Sequence, residues 1–212
     1  FNWFLRFFEE GILNRARKII AVSHFTKWEL TKYYKIPEGK IQVIHNGVDI
    51  RKFKPANNKP RIKSELGFKP DDILIVSVGR LYARKGLFTL IESMPTITKR
   101  FPKAKFVISG KGQSDEMSKL IAHATKLAVI NNIVFTGYYP YEKLPLLYQA
   151  ADVFAFSTFY EHHPFAVLEA LSTGLPVVTT TVGGIPETIE SGRNGFLVKP
   201  FDEKALADRI LY

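Results

Sequence analysis

From residue 70 onward, short apolar runs rich in β-branched and aromatic residues alternate with longer amphipathic segments. Five runs predict strands: Ile73–Val78, Lys105–Ser109, Asn132–Thr136, Asp152–Phe156 and Pro176–Thr180. The segments between and after them predict helices: Leu87–Arg100, Asp115–Lys126, Tyr141–Ala150, Phe165–Thr173 and Pro186–Ser191, and a last helix that begins near Asp202 and continues to Tyr212. Apolar strands that alternate with helices indicate right-handed crossovers. We therefore predict an α/β fold with a doubly wound parallel sheet.

The first third of the chain has a different pattern, with one helix between two short strands. The runs Ile19–Val22 and Ile41–Ile44 predict the strands, and Ser23 is a suitable cap for a helix over His24–Tyr34. The Pro-, Asn- and Lys-rich stretch Arg51–Pro60 is typical of a connection. We therefore predict the terminal elements of a preceding domain in residues 1–45, a linker in residues 46–62, and a second domain, truncated at its C-terminus, in residues 63–212.

Composition changes this picture mainly through the distribution of charge. The chain contains no cysteine, which excludes disulfides and Cys-ligated zinc, and no apolar run reaches the ~18–20 residues of a membrane helix. Residues 1–63 carry 14 Lys and Arg against 5 Asp and Glu, whereas residues 64–212 carry 16 against 15. This basic third indicates either contact with anionic lipid or nucleic acid, or a set of solvated helix faces. Its aromatic opening segment Phe1–Phe8 is either an amphipathic surface helix or a segment buried against another domain.

Glycines and basic residues follow the predicted strands. Ligands bind beyond the carboxyl ends of the strands in open sheets of this kind. The residues after the first three strands are Gly79, Arg80, Lys85, Gly110, Gly112 and Gly137. Because glycine lets a ligand approach the backbone and basic groups bind phosphate, this edge predicts a site for a phosphate-bearing ligand such as a nucleotide.

Two glutamates require a separate explanation. Glu161 follows the fourth strand, and Glu169 lies within the apolar helical segment Pro164–Leu171, where a carboxylate is costly unless a partner satisfies it. Glu169 pairs with a buried Arg or Lys, occupies a partly exposed position at the edge of the helix, or accepts hydrogen bonds from the hydroxyl groups of a ligand. The adjacent His162 and His163 raise a metal alternative, but neighbouring residues rarely converge on one ion, so we predict no metal site.

The order and spacing of these motifs resemble the C-terminal, donor-binding domain of GT-B glycosyltransferases of family 4, the glycosyl transferases group 1. The resemblance covers the whole chain and is carried by Asn46-Gly47-Val48-Asp49, Gly79-Arg80-Leu81 with Lys85-Gly86, Gly110-Lys111-Gly112, Glu161 and Glu169 with seven residues between them, and Gly183-Gly184 with Glu187. It implies a Rossmann-like fold and a retaining transferase that moves a sugar from a nucleotide-diphosphate sugar to a saccharide or lipid-linked glycan.

The resemblance also implies a role for each site residue. Arg80 and Lys85 match the basic pair that holds the diphosphate of the donor and stabilises the departing nucleotide. Glu161 is expected to contact hydroxyl groups of the transferred sugar, and Glu169 those of the ribose. The other expected donor-binding residues are Gly79, Gly110, Gly112, Gly137 and Tyr138, the last two near the base, and Phe165 and Ala166, whose amides lie near phosphate.

The chain departs from the family pattern in one place, because similar proteins have a glycine-rich stretch where this chain has His162, His163 and Pro164. The family's acceptor site belongs to an N-terminal domain, so this chain alone is expected to be inactive. Neither a cofactor nor a metal ion is expected, and no nucleic acid partner. The expected location is cytoplasmic, with peripheral contact at the membrane face. Two alternatives are a GT-B nucleotide-sugar epimerase and a non-catalytic basic module that binds nucleic acid.

Overall fold

A computed structural model describes the fold, and the first part of it contains a small parallel pair of strands. The structure describes residues 10–212, so the segment Phe1–Phe8 lies outside it. Residues 10–15 are helical, and helix α1 (His24–Tyr34) connects β1 (Ile19–Ala21) to β2 (Ile41–Val43). The hydroxyl oxygen of Ser23 accepts a hydrogen bond from the third following amide at 3.0 Å, so the predicted cap of α1 is present.

The rest of the chain forms one six-stranded parallel sheet with helices on both faces. Its strands are β3 (Ile73–Val78), β4 (Ala104–Ser109), β5 (Ile133–Gly137), β6 (Val153–Phe156), β7 (Val177–Thr180) and β8 (Phe196–Val198). Its helices are α2 (Lys59–Glu65), α3 (Leu87–Arg100), α4 (Ser114–Lys126), α5 (Leu144–Ala150), α6 (Phe165–Ser172) and α7 (Glu203–Ile210). No helix in residues 10–212 combines the length and the apolar character needed to cross a bilayer.

The order in which the chain adds strands to the sheet reverses at the central strand, β3. The strand order is β5-β4-β3-β6-β7-β8, and every pair is parallel. The chain first adds strands on one side of β3 and then crosses back to place β6 on the other side. This is the strand order of the dinucleotide-binding fold, with a topological switch point between β3 and β6. The predicted doubly wound α/β fold is therefore confirmed.

Alternate residues of the central strand enter two separate apolar layers. Ile75 packs in the layer formed with α3, α4 and α7, whereas Leu74 and Val76 pack in the layer formed with α5 and α6. All three side chains are almost completely buried. Because helices cover both faces, the strands are apolar throughout, which explains why their pattern was continuous rather than alternating.

The structure corrects two helices that the sequence predicts. The segment Pro186–Ser191 does not form an α-helix, because it contains only a short 3-10 turn, Ile185–Glu187, before a turn that returns the chain to β8. The last helix does not continue to Tyr212. It ends at Ile210, although the amide of Leu211 still donates to the carbonyl oxygen of Ala207 at 3.0 Å, and the ring of Tyr212 packs edge-on against Phe196 of β8 at 5.2 Å between centroids.

Three further elements differ from the prediction in extent or existence. Strand β8 was not predicted, because three residues carry too little pattern to distinguish a strand from a loop. Helix α2 occupies the end of the stretch predicted as a connection, and Pro60 lies in its first turn, where proline is tolerated. Helix α5 begins at Leu144 rather than Tyr141, because Pro145 likewise fits only a first turn.

Candidate functional site

Two adjoining clefts lie at the carboxyl ends of the central strands, beside the switch point. The β4 cleft, of about 490 Å³, lies next to the ends of β4 and β5. The α6 cleft, of about 610 Å³, lies next to the end of β6 and the start of α6. Val78 and Gly79, at the end of β3, line both clefts, which therefore adjoin; the two clefts together are called the depression below. This is where the strand order predicts ligand binding.

The predicted site residues divide between these clefts. The β4 cleft contains Gly79, Arg80, Gly110, Gly112 and Tyr138. The α6 cleft contains Gly79, Lys85, Glu161, Phe165 and Ala166. The two remaining predicted residues, Gly137 and Glu169, line neither cleft. Most of the predicted residues therefore lie at one edge of the sheet, but the structure separates Arg80 from Lys85 and Glu161, the other two residues predicted to be catalytic.

A buried ion pair forms the centre of the α6 cleft. Oε1 of Glu161 accepts hydrogen bonds from Nζ of Lys85, from Nη1 of Arg84 at 3.1 Å and from the hydroxyl of Thr158 at 3.3 Å. Within residues 10–212, Oε2 of Glu161 has no such partner. Burial lowers the pKa of Lys85 below its usual value, and the neighbouring Glu161 opposes this shift. The arrangement fixes one carboxylate oxygen and leaves the other for a ligand.

Arg84 is the cation that sequence reasoning did not select. Its guanidinium also donates to the carbonyl oxygen of Tyr160 at 2.9 Å, whereas Arg80 contacts only the hydroxyl of Tyr82, at 3.4 Å, among the described residues. Arg80 and Arg84 occur in one short basic segment, and the 3-10 turn Ala83–Lys85 between β3 and α3 directs them to different clefts. The direction in which this turn points the two arginine side chains cannot be predicted from composition or spacing.

Glu169 is held by a tyrosine rather than by a basic residue. The hydroxyl of Tyr148, which is fully buried, donates to Oε2 of Glu169 at 2.8 Å. Burial raises the pKa of Glu169, and the hydrogen bond from Tyr148 and the charge of Lys52 partly oppose this rise. Burial next to this carboxylate also raises the pKa of Tyr148. The predicted pairing of Glu169 with a buried Arg or Lys is therefore wrong, because its buried partner is a tyrosine.

The N-terminus of α6 opens into the α6 cleft. Phe165 and Ala166 are its first two residues, and Pro164 precedes them without any side-chain cap. The first amides of a helix have no acceptor within the helix, and together with the helix dipole they favour an anion. Lys85 lines the same cleft. This end of the depression therefore combines a fixed cation with free backbone donors.

The β4 cleft provides an exposed aromatic ring and a close backbone contact. Nζ of Lys111 lies 5.2 Å from the centre of the Tyr138 ring. A side chain at Gly110 is excluded by the fold itself, because its Cβ would lie 1.8 Å from the carbonyl oxygen of Gly79. The glycine at this position is therefore required for packing of the strand ends, whatever ligand the cleft binds.

Residues from the first third of the chain close one side of the α6 cleft. Val22 and Asn46 line it, and Nδ2 of Asn46 donates to the carbonyl oxygen of His163 at 2.7 Å. The His163 ring stacks on His45 with centroids 4.9 Å apart, and its Nε2 lies 3.0 Å from the hydroxyl of Thr188. Burial, with His45 nearby, lowers the pKa of His163, so its ring favours the neutral form.

Glu187 anchors the N-terminus of α1 to the main sheet. Its oxygens accept the amides of His24 at 2.8 Å and Phe25 at 2.9 Å, and Nε2 of His45 lies 2.9 Å from Oε2. Burial acts to raise the pKa of Glu187, but these hydrogen bonds bring it below its usual value. Within residues 10–212, His24, His45 and Glu187 form the cluster that could hold a cation, with ligand atoms within 4.8 Å. Since amides already occupy both carboxylate oxygens, we assign this cluster a structural role.

The strand order and the charged crevice at the switch point define a doubly wound α/β protein of the nucleotide-binding class. Comparison with protein families makes this specific. A model described as glycosyl transferases group 1 matches residues 58–212, and a Glycosyltransferase Family 4 model matches residues 1–52. The chain belongs to the glycosyl transferases group 1 family, and the expected C-terminal domain of a GT-B glycosyltransferase is confirmed.

Individual relatives agree with this assignment. The chain is 34% identical over 200 residues to an uncharacterized glycosyltransferase of Methanocaldococcus jannaschii, covering 92% of this chain and 50% of that protein. It is 29% identical to a D-inositol 3-phosphate glycosyltransferase of Segniliparus rotundus, covering 90% and 42%. Among solved structures, Anabaena HepE in complex with UDP-glucose has a TM-score of 0.90 and 26% identity, covering 100% and 58%. The chain spans about half the length of the curated relatives it matches.

Proposed function

We propose that this chain is the donor-binding half of a retaining glycosyltransferase that moves a sugar from a nucleotide-diphosphate sugar to a saccharide or lipid-linked glycan. The observation that carries the proposal is the buried pair of Lys85 and Glu161 at the switch point of the sheet. Family membership supports sugar transfer. The HepE structures, which contain UDP with glucose or UDP-glucose, support a nucleotide sugar as the ligand.

The two clefts suggest how such a donor binds. The nucleoside occupies the β4 cleft, where Tyr138 offers a ring for stacking. Arg80 and Lys111 line the same cleft and supply positive charge to the adjoining diphosphate, which Arg80 holds together with Lys85. The diphosphate crosses Gly79, which both clefts share, and reaches the first amides of α6. The sugar then lies in the α6 cleft beside Glu161. This orientation places each part of the donor against groups of matching chemistry.

The charged residues then have separate tasks. Lys85 stabilises negative charge on the departing diphosphate, as a fixed cation in a partly dry site, and this role requires neither a metal ion nor a cofactor. Glu161 uses its remaining oxygen, Oε2, to accept hydrogen bonds from sugar hydroxyl groups. Glu169 offers Oε1 to the ribose, since Tyr148 engages Oε2; because Glu169 lines neither cleft, this contact requires the ribose to reach beyond the β4 cleft toward α6. We infer retention of the anomeric configuration from the family resemblance alone.

By this proposal the acceptor site lies in the part of the relatives' length that this chain does not span. The chain by itself then binds the donor weakly and transfers no sugar. The whole enzyme acts on the cytoplasmic side, at the membrane face when its acceptor is a lipid-linked glycan.

A titration of the chain with UDP, GDP and ADP up to millimolar concentration tests donor binding. We expect one of them to shift NMR amide signals near Arg80 and Ala166, and Lys85→Ala to weaken its binding by about 10- to 100-fold, the worth of a hydrogen bond to a charged group. Lys103→Ala is the matched control, because Lys103 is an exposed lysine paired with Asp71 at the other end of the sheet. Absence of any shift at millimolar nucleotide, or equal losses in both variants, contradicts the proposal.

Product analysis of the full-length protein tests the reaction itself. We expect a transferred sugar whose anomeric configuration matches that of the donor. An inverted product refutes retention, and an isomerised nucleotide sugar in place of a transferred one indicates an epimerase.

A further inference from the structure

Three side chains form a hydrogen-bonded group beside the α6 cleft. The hydroxyl of Tyr160 lies 2.8 and 3.0 Å from the two carboxylate oxygens of Glu29, and 2.9 Å from Nε2 of His162. Nε2 of His162 is also 3.2 Å from Oε2 of Glu29. Glu29 belongs to α1, whereas the other two belong to the loop after β6, so the group joins the two parts of the chain.

His162 occurs where the sequence departs from the family pattern, directly after Glu161. Its side chain lines the α6 cleft and is half-exposed, whereas that of Glu29 is largely buried. In the donor orientation proposed above, the nucleoside lies in the β4 cleft and the phosphates lie at the start of α6. His162 is then at the end of the depression that the sugar occupies. This inference rests on the proposed function in that respect.

The contacts of Nε2 determine what the rest of the imidazole can do. The Tyr160 hydroxyl donates to Glu29, since a carboxylate can only accept, and Nε2 then donates to the Tyr160 oxygen or to Glu29. Within residues 10–212, Nδ1 of His162 has no hydrogen-bond partner. In the neutral ring, a proton on Nε2 leaves Nδ1 as an acceptor with a free lone pair.

We propose that His162 is a specificity-determining residue whose Nδ1 accepts a hydrogen bond from a hydroxyl group of the transferred sugar, a neutral hexose. Glu29 and Tyr160 are positioning residues, because they fix the ring through Nε2. Glu161 and His162, which are adjacent in one loop, then both accept hydrogen bonds from hydroxyl groups of the sugar. The ring selects a donor by the direction of one hydroxyl group.

The test compares donor sugars with their bare nucleotides. The probes are UDP against UDP-glucose and GDP against GDP-mannose, titrated by NMR into the chain and its variants. We expect His162→Ala to weaken binding of the accepted nucleotide sugar by about 3- to 10-fold, the worth of one hydrogen bond, and to leave binding of the corresponding nucleotide unchanged. His123→Ala is the matched control, because His123 also pairs with a glutamate through Nε2 but lies on α4, outside both clefts.

Two conservative variants separate recognition from simple packing. His162→Asn retains an acceptor near the position of Nδ1 and is expected to restore part of the sugar affinity. His162→Gln reaches the position of Nε2 instead and is expected to behave like His162→Ala. Equal effects on nucleotide and nucleotide sugar, or rescue by Gln rather than Asn, overturn the role of His162 while leaving the proposed function intact. Failure of UDP, GDP and ADP alike to bind the wild-type chain overturns both.

Discussion

Removing a single hydroxyl group, by Tyr148→Phe, tests how the fold holds the buried carboxylate of Glu169. The Tyr148 ring is fully buried and its hydroxyl donates to Glu169 at 2.8 Å. Phenylalanine fills nearly the same volume, so the change removes the hydrogen bond without opening a cavity large enough to matter. Glu169 remains buried in α6 and loses its donor.

The expected loss depends on the charge of Glu169. A hydrogen bond to a charged acceptor contributes about 1.5–3 kcal/mol and one between neutral groups about 1 kcal/mol. We therefore expect the free energy of unfolding to fall by about 2 kcal/mol when Glu169 is ionised and by about 1 kcal/mol when it is protonated. For a protein of this size, 2 kcal/mol corresponds to a decrease in Tm of about 4–8 °C.

The pH dependence has a definite sign. Burial raises the pKa of Glu169 above its usual value, so the folded state holds this proton more tightly than the unfolded chain. The contribution of this carboxyl to stability is therefore greatest below its unfolded pKa and decreases as the pH rises through its folded pKa. Loss of the tyrosine donor raises the folded pKa further, so the difference between variant and wild type increases with pH across that window.

Urea unfolding at a series of pH values from about 4.5 to 8 measures this difference, and Glu169→Gln in both backgrounds completes a double-mutant cycle. Tyr139→Phe is the matched control, because Tyr139 is only partly buried and donates to no carboxylate within residues 10–212. With Gln at position 169 we expect only the loss of about 1 kcal/mol of a bond between neutral groups. A loss of the same size at every pH, or a loss as large with Gln as with ionised Glu169, refutes the reasoning.

Two further predictions concern the loops that support the site. Glu187→Gln is expected to lower the free energy of unfolding by about 1 kcal/mol, because α1 loses its charged N-terminal acceptor. Since the folded-state pKa of Glu187 is lowered from 4.5, this difference in stability is present above pH 4.5 and disappears as the pH falls through the folded-state pKa. Urea titrations at one pH on each side of this range measure it. Gly183→Ala places a Cβ 1.6 Å from the carbonyl oxygen of Glu161 at a φ of +56°, whereas Gly192→Ala, at +87°, meets no atom within 4 Å. Gly192→Ala is expected to cost about 1–2 kcal/mol in the same assay and Gly183→Ala about 1–3 kcal/mol more, and equal costs contradict the steric argument.

The fold was largely predictable because its signal is local. A strand buried on both faces must be apolar at each position, and a helix that follows it shows its own period, so most elements of residues 70–180 are found within a few residues. Long-range order is different. Placement of β6 beside β3 depends on pairs such as Ile75 with Val153, which no local pattern specifies. β8 is stabilised by its pairing with β7 rather than by its own three residues.

The site was predictable to the extent that its residues follow strands. Lys85 and Glu161 were found because both occur at strand ends that a parallel sheet brings together. The residues that hydrogen-bond to the site residues were not predicted, because they lie far away in the sequence and come into contact with them only in the folded chain. Tyr148 lies 21 positions from the carboxylate it holds, and Glu29 lies 131 positions from Tyr160. A lone tyrosine or glutamate in an amphipathic segment carries no sign of such a contact.

The polar groups buried at the switch point are better explained by ligand binding than by stability. Lys85 and Glu161 are buried together, and removing two charges from water costs several kcal/mol that their attraction only partly offsets. An apolar pair of similar volume at these positions is expected to stabilise the fold at least as well. The apolar layers on both faces of the sheet tolerate this local cost, because each buries more than a dozen apolar side chains. Polar burial at the carboxyl ends of β3 and β6, where the fold does not require it, is therefore evidence that this edge is retained for the ligand.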